Sequence, residues 1–158
     1  MLLGGYNGKL CLADWEARSD RKVIDQRIQT ALKAEYIEGS SAVIVQAIEE
    51  LDTYFRGELH RFSTPLMPIG TSLQQAVWSE IAKVPYGGTV SYKEIAECIG
   101  KPQAVRAVAT AVGANALSLF IPCHRVVGSD GALRGYAGGL GVKKSLLYIE
   151  RKVGNMLS

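Results

Sequence analysis

Residues 91–112 read SYKEIAECIGKPQAVRAVATAV, and the local signals in this stretch decide the fold. Ser91-Tyr92-Lys93-Glu94 fits a capping box, in which the serine hydroxyl accepts the Glu94 amide and the Glu94 carboxylate accepts the Ser91 amide. Behind it Tyr92, Ile95, Ala96 and Ile99 fall at i, i+3, i+4 and i+7, one apolar face of a short helix. Gly100 suits the left-handed position that ends such a helix, and Pro102 suits the first turn of the next. In that next helix Val105, Val108, Ala109 and Val112 point inward, leaving Gln103, Arg106, Ala107 and Thr110 outside. Two short helices across a glycine-containing turn predict a helix-turn-helix. The outer face carries short side chains and one arginine, where a merely solvated helix more often carries long charged groups. Short residues let a backbone approach a surface closely, and a lone arginine can enter a narrow groove or a stacked duplex. The same pattern also fits a solvated arginine among helix-forming alanines, so alone it is weak evidence for DNA.

Upstream, Ser72-Leu73-Gln74-Gln75 reads as a second capping box, opening a helix whose buried stripe is Leu73, Val77, Ile81 and Val84. Pro65-Leu66-Met67-Pro68 reads as a link between an N-terminal domain, residues 1–68, and a C-terminal domain, residues 69–158. In the first of these, Asn7-Gly8 between Leu2–Tyr6 and Lys9–Trp15 signals a hairpin with a type I′ turn. Val23, Ile24, Ile28, Ala31 and Leu32 are spaced as on a helix. Ala42 to Phe55 predicts another, capped by Ser40 or Ser41, with Ile44, Ala47, Ile48, Leu51, Tyr54 and Phe55 on its apolar face. Leu59 to Leu66 reads as a candidate further strand. Cys11 reads as a packing residue and His60 as a surface one. This half shows no catalytic grouping.

Downstream lies Ile121-Pro122-Cys123-His124-Arg125-Val126, a thiol beside an imidazole behind a proline that stiffens the backbone. If the stretch is extended, neighbouring side chains point to opposite sides, so a bridging water between Cys123 and His124 is expected rather than direct contact. Glu150 follows Leu146 and Leu147 and precedes Val153 on one helical face. A carboxylate there is costly unless a charge or donor meets it, and His124 is the natural partner; a glutamate reaching solvent is the plainer reading. The glycines between 128 and 141 do not fit a dinucleotide or Walker phosphate loop, and read as a turn at Ser129-Asp130-Gly131 plus a close-packed loop.

The chain has 158 residues, 47% hydrophobic and 21% charged, which is globular composition. No apolar run reaches the ~20 residues of a membrane helix, and Met1-Leu2-Leu3-Gly4-Gly5 lacks the features of a signal peptide, so no membrane and a cytoplasmic location are expected. Three cysteines and two histidines, widely spaced, argue against both a structural zinc site and a disulfide framework, and no metal is expected. Residues 1–70 carry 8 basic and 10 acidic side chains, residues 71–158 carry 10 and 5. The basic second half suits a polyanionic partner, although an ordinary solvated face explains the charge equally well.

Ile121-Pro122-Cys123-His124-Arg125-Val126-Val127, Gly135-Tyr136-Ala137-Gly138-Gly139-Leu140 and Leu146-Leu147-x-x-Glu150 together resemble the O6-alkylguanine-DNA alkyltransferases. Ser91-Tyr92, Ala104 to Val108 and Asn115 stand at that family's spacing; roughly residues 71–150 match closely and the first 70 loosely. The resemblance implies an α+β fold, with a small ribonuclease-H-like N-terminal domain and a helical C-terminal domain bearing the helix-turn-helix. It implies single-turnover transfer of an alkyl group from O6-alkylguanine in duplex DNA to Cys123, without a cofactor, by a monomer. Thiolate formation would run through Glu150, His124 and a water; Tyr92 would donate to the leaving base, and Asn115 would tie the helices to the site. DNA contacts would come from Gln103, Ala104, Arg106, Ala107, Thr110 and Arg125, with docking in the minor groove and Arg106 filling the space of a flipped base. Tyr136, Ala137 and Gly138 would wall the base pocket. Ala116, where proline is usual, and Arg151, where glycine is commonest, depart from the pattern. The alternatives are a non-catalytic damage binder and a helix-turn-helix regulator with a redox thiol.

Overall fold

The computed structural model describes the backbone of residues 1–157 and the side-chain surroundings of residues 1–152. It begins with the hairpin β1 (Leu2–Tyr6) and β2 (Lys9–Asp14), turned at Asn7 and Gly8 with φ of 49° and 75°, both left-handed as a type I′ turn requires. Gly4 faces Leu12 and Gly5 faces Leu10, so Cys11 is the extra residue of a bulge. A Cβ on Gly5 would stand 2.8 Å from the Val43 side chain, which is why glycine lets β1 lie against the second helix.

Leu10, Cys11, Leu12, Ala13 and Asp14 are all buried, because β2 is paired along both edges. Beyond β1, its other edge takes two segments from far along the chain. The Leu10 amide donates to the Pro65 carbonyl at 2.8 Å and the Met67 amide to the Leu10 carbonyl at 2.8 Å. Further along, the Ala13 amide donates to the Ala116 carbonyl and the Ser118 amide to the Ala13 carbonyl, each at 2.8 Å. The stretch Leu59–Leu66 forms no strand beyond the single bridge of Leu66 to Leu10, which corrects the expectation there.

Helix α1 (Arg21–Leu32) buries Ile24 and Ile28, and α2 (Ala42–Phe55) buries Val43, Ala47, Leu51 and Tyr54. The buried stripe of α2 is rotated from the expected one: Ile48 and Phe55 are 45% and 47% exposed. Ser41 is its N-cap residue but makes no side-chain cap bond. Helix α3 (Ser72–Ala82) opens one residue earlier than its sequence suggests, with Thr71 and Gln74 forming the capping box, and buries Val77, Trp78 and Ile81. Helix α4 (Tyr92–Cys98) has the expected box of Ser91 and Glu94, and Gly100 after it has φ 74°.

Helix α5 (Val105–Gly113) starts three residues past Pro102, which sits in the preceding turn instead of the helix. Its buried residues are Val108, Ala111 and Val112; Ala109 faces outward. The Trp78 indole donates to the Ala111 carbonyl at 2.9 Å, fixing α5 on α3. Each buried valine contributes roughly 1.5–3 kcal/mol to that packing. Strand β3 (Val90–Ser91) pairs in parallel with β4 (Val126–Val127), and the long helix α6 (Leu140–Leu157) closes the chain. The main apolar core runs from Leu10, Val43 and Tyr54 to Trp78, Val108, Leu119 and Leu146, and a second cluster under α1 joins Cys11, Leu12, Ile24, Ile28 and Ala116. Among the described residues this makes a mixed α/β fold of six α-helices and two small sheets. No described helix is long and apolar enough to cross a membrane.

Candidate active site

Three backbone devices present Cys123. Pro122, at φ −78° and ψ 66°, forms an inverse γ-turn in which the Cys123 amide donates to the Ile121 carbonyl at 2.7 Å. The Arg125 amide then donates to the Pro122 carbonyl at 2.9 Å, making Cys123–Arg125 one 3-10 turn. The extended geometry expected at residues 123 and 124 is therefore replaced by a tight turn. Upstream, Leu119 is held at φ 73°, a costly conformation for leucine. Asn115 holds it there: its amide donates to the Ile121 carbonyl at 2.9 Å and its oxygen accepts the Leu117 amide at 3.0 Å.

Because Ser91 both caps α4 and pairs with Val127, the first residue of α4, Tyr92, is carried to the same place as the thiol. A cavity of about 830 Å³ opens there, lined among others by Tyr92, Arg106, Asn115, Cys123, Tyr136 and Ala137. Gly138 lies behind this wall: a Cβ on it would stand 2.8 Å from the Trp15 indole, so only glycine lets the loop close on that ring. Trp15 also meets Tyr136 edge-on at 6.0 Å. Gln103, Arg106, Ala107 and Thr110 are exposed and Ala104 half-buried, on or beside the outer face of α5.

Behind the cavity His124 and Glu150 are 0% and 1% exposed, with Nε2 of the ring 2.5 Å from Oε2 of the carboxylate. The same oxygen accepts the Tyr54 hydroxyl at 2.6 Å. Oε1 accepts Arg125 Nε at 2.8 Å and the Gly87 amide at 3.2 Å. Burial alone would raise the Glu150 pKa, but the hydrogen bonds and charge of His124, Arg125 and Tyr54 bring it down to about 2. For His124 the balance falls the other way: burial, helped by the charges of Arg125 and Lys143, lowers its pKa more than Glu150 raises it, so the ring is neutral at neutral pH. A neutral ring facing a carboxylate carries its proton on Nε2, leaving Nδ1 basic. Nδ1 is buried and has no partner among the described residues.

Burial pushes the Cys123 thiol up, against the Asn115 amide and the charge of Lys143, which act downward. Lys143 is fully buried on α6, and Nζ donates to the Val126 carbonyl at 2.6 Å and the Arg134 carbonyl at 3.1 Å. It thereby joins the strand after Cys123 to the loop before Tyr136. Tyr92 is raised by burial and by the neighbouring thiol, so its phenol keeps the proton a donor needs.

Arg125 is the clearest correction. Expected on the DNA face, it is buried between Glu150 and the Val84 carbonyl at 2.7 Å, because the 3-10 turn directs it inward. Val153, expected beside Glu150, lies outside the described side chains. Sequence reasoning missed Tyr54, Trp15, Lys143 and Arg18. Arg18 is buried, bonded to Asp14 at 2.9 Å and to the Gly113 and Asn115 carbonyls at 2.6 and 3.1 Å, so it fixes the end of α5. An aspartate buried in an apolar strand, Asp14, was the available signal that a cation would meet it.

Comparison with known proteins gives a consistent result. The family model for the DNA-binding domain of 6-O-methylguanine DNA methyltransferase matches residues 72–152. A methylated-DNA–protein-cysteine methyltransferase of Methanosarcina barkeri is 50% identical over 105 residues, which cover 66% of this chain and 66% of its own length. The constitutive enzyme of that name from Bacillus subtilis is 41% identical over 150 residues, 91% of this chain and 90% of its own. The solved structure of Mycobacterium tuberculosis OGT in complex with DNA superposes with a TM-score of 0.81 at 36% identity, covering 96% of this chain and 86% of that one.

Proposed function

Since the chain belongs to the methylated-DNA–protein-cysteine methyltransferase family, we propose that it repairs O6-alkylguanine in duplex DNA by moving the alkyl group once, irreversibly, to Cys123. One observation carries this reading: the buried thiol forms part of the wall of a cavity that also holds Tyr92, Arg106 and Tyr136, backed by the His124–Glu150 pair.

The chemistry follows from these residues. The Cys123 proton passes to His124 Nδ1 through a water, and Glu150 steadies the imidazolium that forms. Sulfur attacks the alkyl carbon as its bond to the guanine oxygen breaks, and the electron pair stays on the base. Tyr92 donates to the base as that charge develops. The anionic base takes up one proton, equivalent to the one Cys123 released to His124, and ends as neutral guanine; the sulfur ends as a thioether, which water does not cleave. The resting thiol, held protonated by burial, differs from the low-pKa accessible thiol that a redox sensor uses.

In the same proposal α4 and α5 act as a helix-turn-helix, with the small exposed residues Ala107 and Thr110 letting α5 approach the minor groove. Arg106, at the mouth of the cavity, occupies the place of the extruded nucleotide, offsetting a flipping cost of a few kcal/mol. Residues 1–68, ribonuclease-H-like in this reading, support the site, and residues 69–158 carry it. The test is a time course of methyl transfer from a labelled O6-methylguanine duplex held in excess over the protein. The expected result is a burst equal to the protein concentration, absent in Cys123→Ser; continued turnover by Cys123 contradicts the proposal.

A further inference from the structure

Glu150 meets four donors. Arg125 Nε and the Gly87 amide occupy Oε1; the Tyr54 hydroxyl and His124 Nε2 share Oε2. A carboxylate has about four lone-pair positions, so this one is saturated. It cannot turn or take up a proton without breaking a buried bond. Tyr54 comes from α2, 96 residues away in sequence, and its ring is held by Phe55 and Phe62, each with centroids at 5.5 Å, and by Tyr86 at 6.2 Å. The hydroxyl therefore has nowhere else to go. Facing an ionised carboxylate it must donate, and its oxygen lies 3.5 Å from His124 Nε2.

Two donors on one oxygen compete. The more of the Oε2 charge Tyr54 engages, the less stabilises a proton arriving on His124. We propose that Tyr54 is a positioning residue of the relay: it fixes Glu150 in place and holds His124 as the neutral Nε2–H ring with Nδ1 free. This rests on reading Cys123 as the alkyl acceptor, and it gives the N-terminal half a part in the chemistry. The other groups facing His124 act in known directions. Glu150 on α6 favours its protonation, while Arg125 on its own turn and Lys143 on α6 oppose it. Tyr136 from the pocket loop lies edge-on at 6.5 Å, and the Tyr86 hydroxyl senses the Glu150 charge from the loop before β3.

The test uses the full ¹⁵N-labelled chain and imidazole nitrogen–proton correlation spectra across pH. The chain has two histidines, and the spectrum of a His124→Ala variant assigns the signals of each. In the wild type the ring of His124 is the Nε2–H tautomer at neutral pH. Tyr54→Phe moves the His124 titration to higher pH, giving about three- to tenfold more imidazolium at a fixed pH on its flank, a part of the worth of one hydrogen bond to a charged group. Replacing Tyr54 by 3,5-difluorotyrosine, a stronger donor that keeps the packing, moves His124 the other way and covers the case in which Tyr54→Phe does not fold.

Superimposable His124 titrations in wild type and variants, or an Nδ1–H tautomer in the wild type, overturn the proposal. So does a loss of methyl transfer in Tyr54→Phe by one factor at every pH, which marks a purely structural role. Absence of transfer by the wild type sinks the alkyl-acceptor reading instead, and the titrations, which need no DNA, still decide the assignment of Tyr54.

Discussion

Near neutrality Cys123 holds its proton, because burial opposes the thiolate more than Asn115 and Lys143 favour it. In the proposed mechanism the relay then sets the rate. His124→Ala is expected to lower single-turnover methyl transfer by ~10²–10⁴-fold near neutrality, with partial recovery at alkaline pH as thiolate forms directly. A pH series on wild type and variant checks this; a variant deficit that is constant with pH contradicts it. Glu150 has a second signature. Its folded pKa is about 2 against an ordinary 4.5, so its stabilisation is fully present above 4.5 and is lost as pH falls toward 2. Thermal melts should show wild type well above Glu150→Gln at neutral pH. The gap should close through that acid window, because glutamine does not titrate.

At the scale of elements, α5 and its neighbours show what a sequence discloses and what it withholds. The box of Ser91 and Glu94 was legible because a cap is local: two residues three positions apart and their own backbone complete it. The box on α3 was displaced by one because Thr71-x-x-Gln74 and Ser72-x-x-Gln75 fit the same pattern. Tertiary packing chose between them: a Cβ on Gly70 would stand 2.5 Å from the Trp78 ring, so the chain enters α3 against that indole. The buried face of α2 was ambiguous because Val43, Ile44, Val45, Ala47 and Ile48 are apolar nearly all round. For α5 the consequential feature is its exposed face. Ala107→Glu should leave the melting temperature within about 1–2 °C, as surface changes do, yet weaken binding to any duplex by at least tenfold. Fluorescence anisotropy at two salt concentrations measures this, and unchanged affinity would remove α5 from the interface.

Across the whole molecule, the two halves are built into each other. The edge of β2 takes residues 65–67 and 116–118, Arg18 fixes the end of α5, Trp15 backs the pocket loop, and Tyr54 reaches Glu150. The thiol and the imidazole were legible in sequence because Cys123 and His124 are adjacent; Glu150 joined them only through the family resemblance, since its apolar helical face alone left a solvent-reaching glutamate the plainer reading. Tyr54 and the inward turn of Arg125 were not, because each depends on partners brought from 96 and 25 residues away. No local pattern encodes such a meeting. The central claim is that this assembly delivers one alkyl group to one sulfur. Intact mass spectrometry after mixing the chain with an O6-methylguanine duplex tests it most directly. The account predicts that every molecule gains the mass of one CH₂, mapped by peptide analysis to Cys123 and absent in Cys123→Ser; an unchanged mass, or a gain at Cys11 or Cys98, would contradict it.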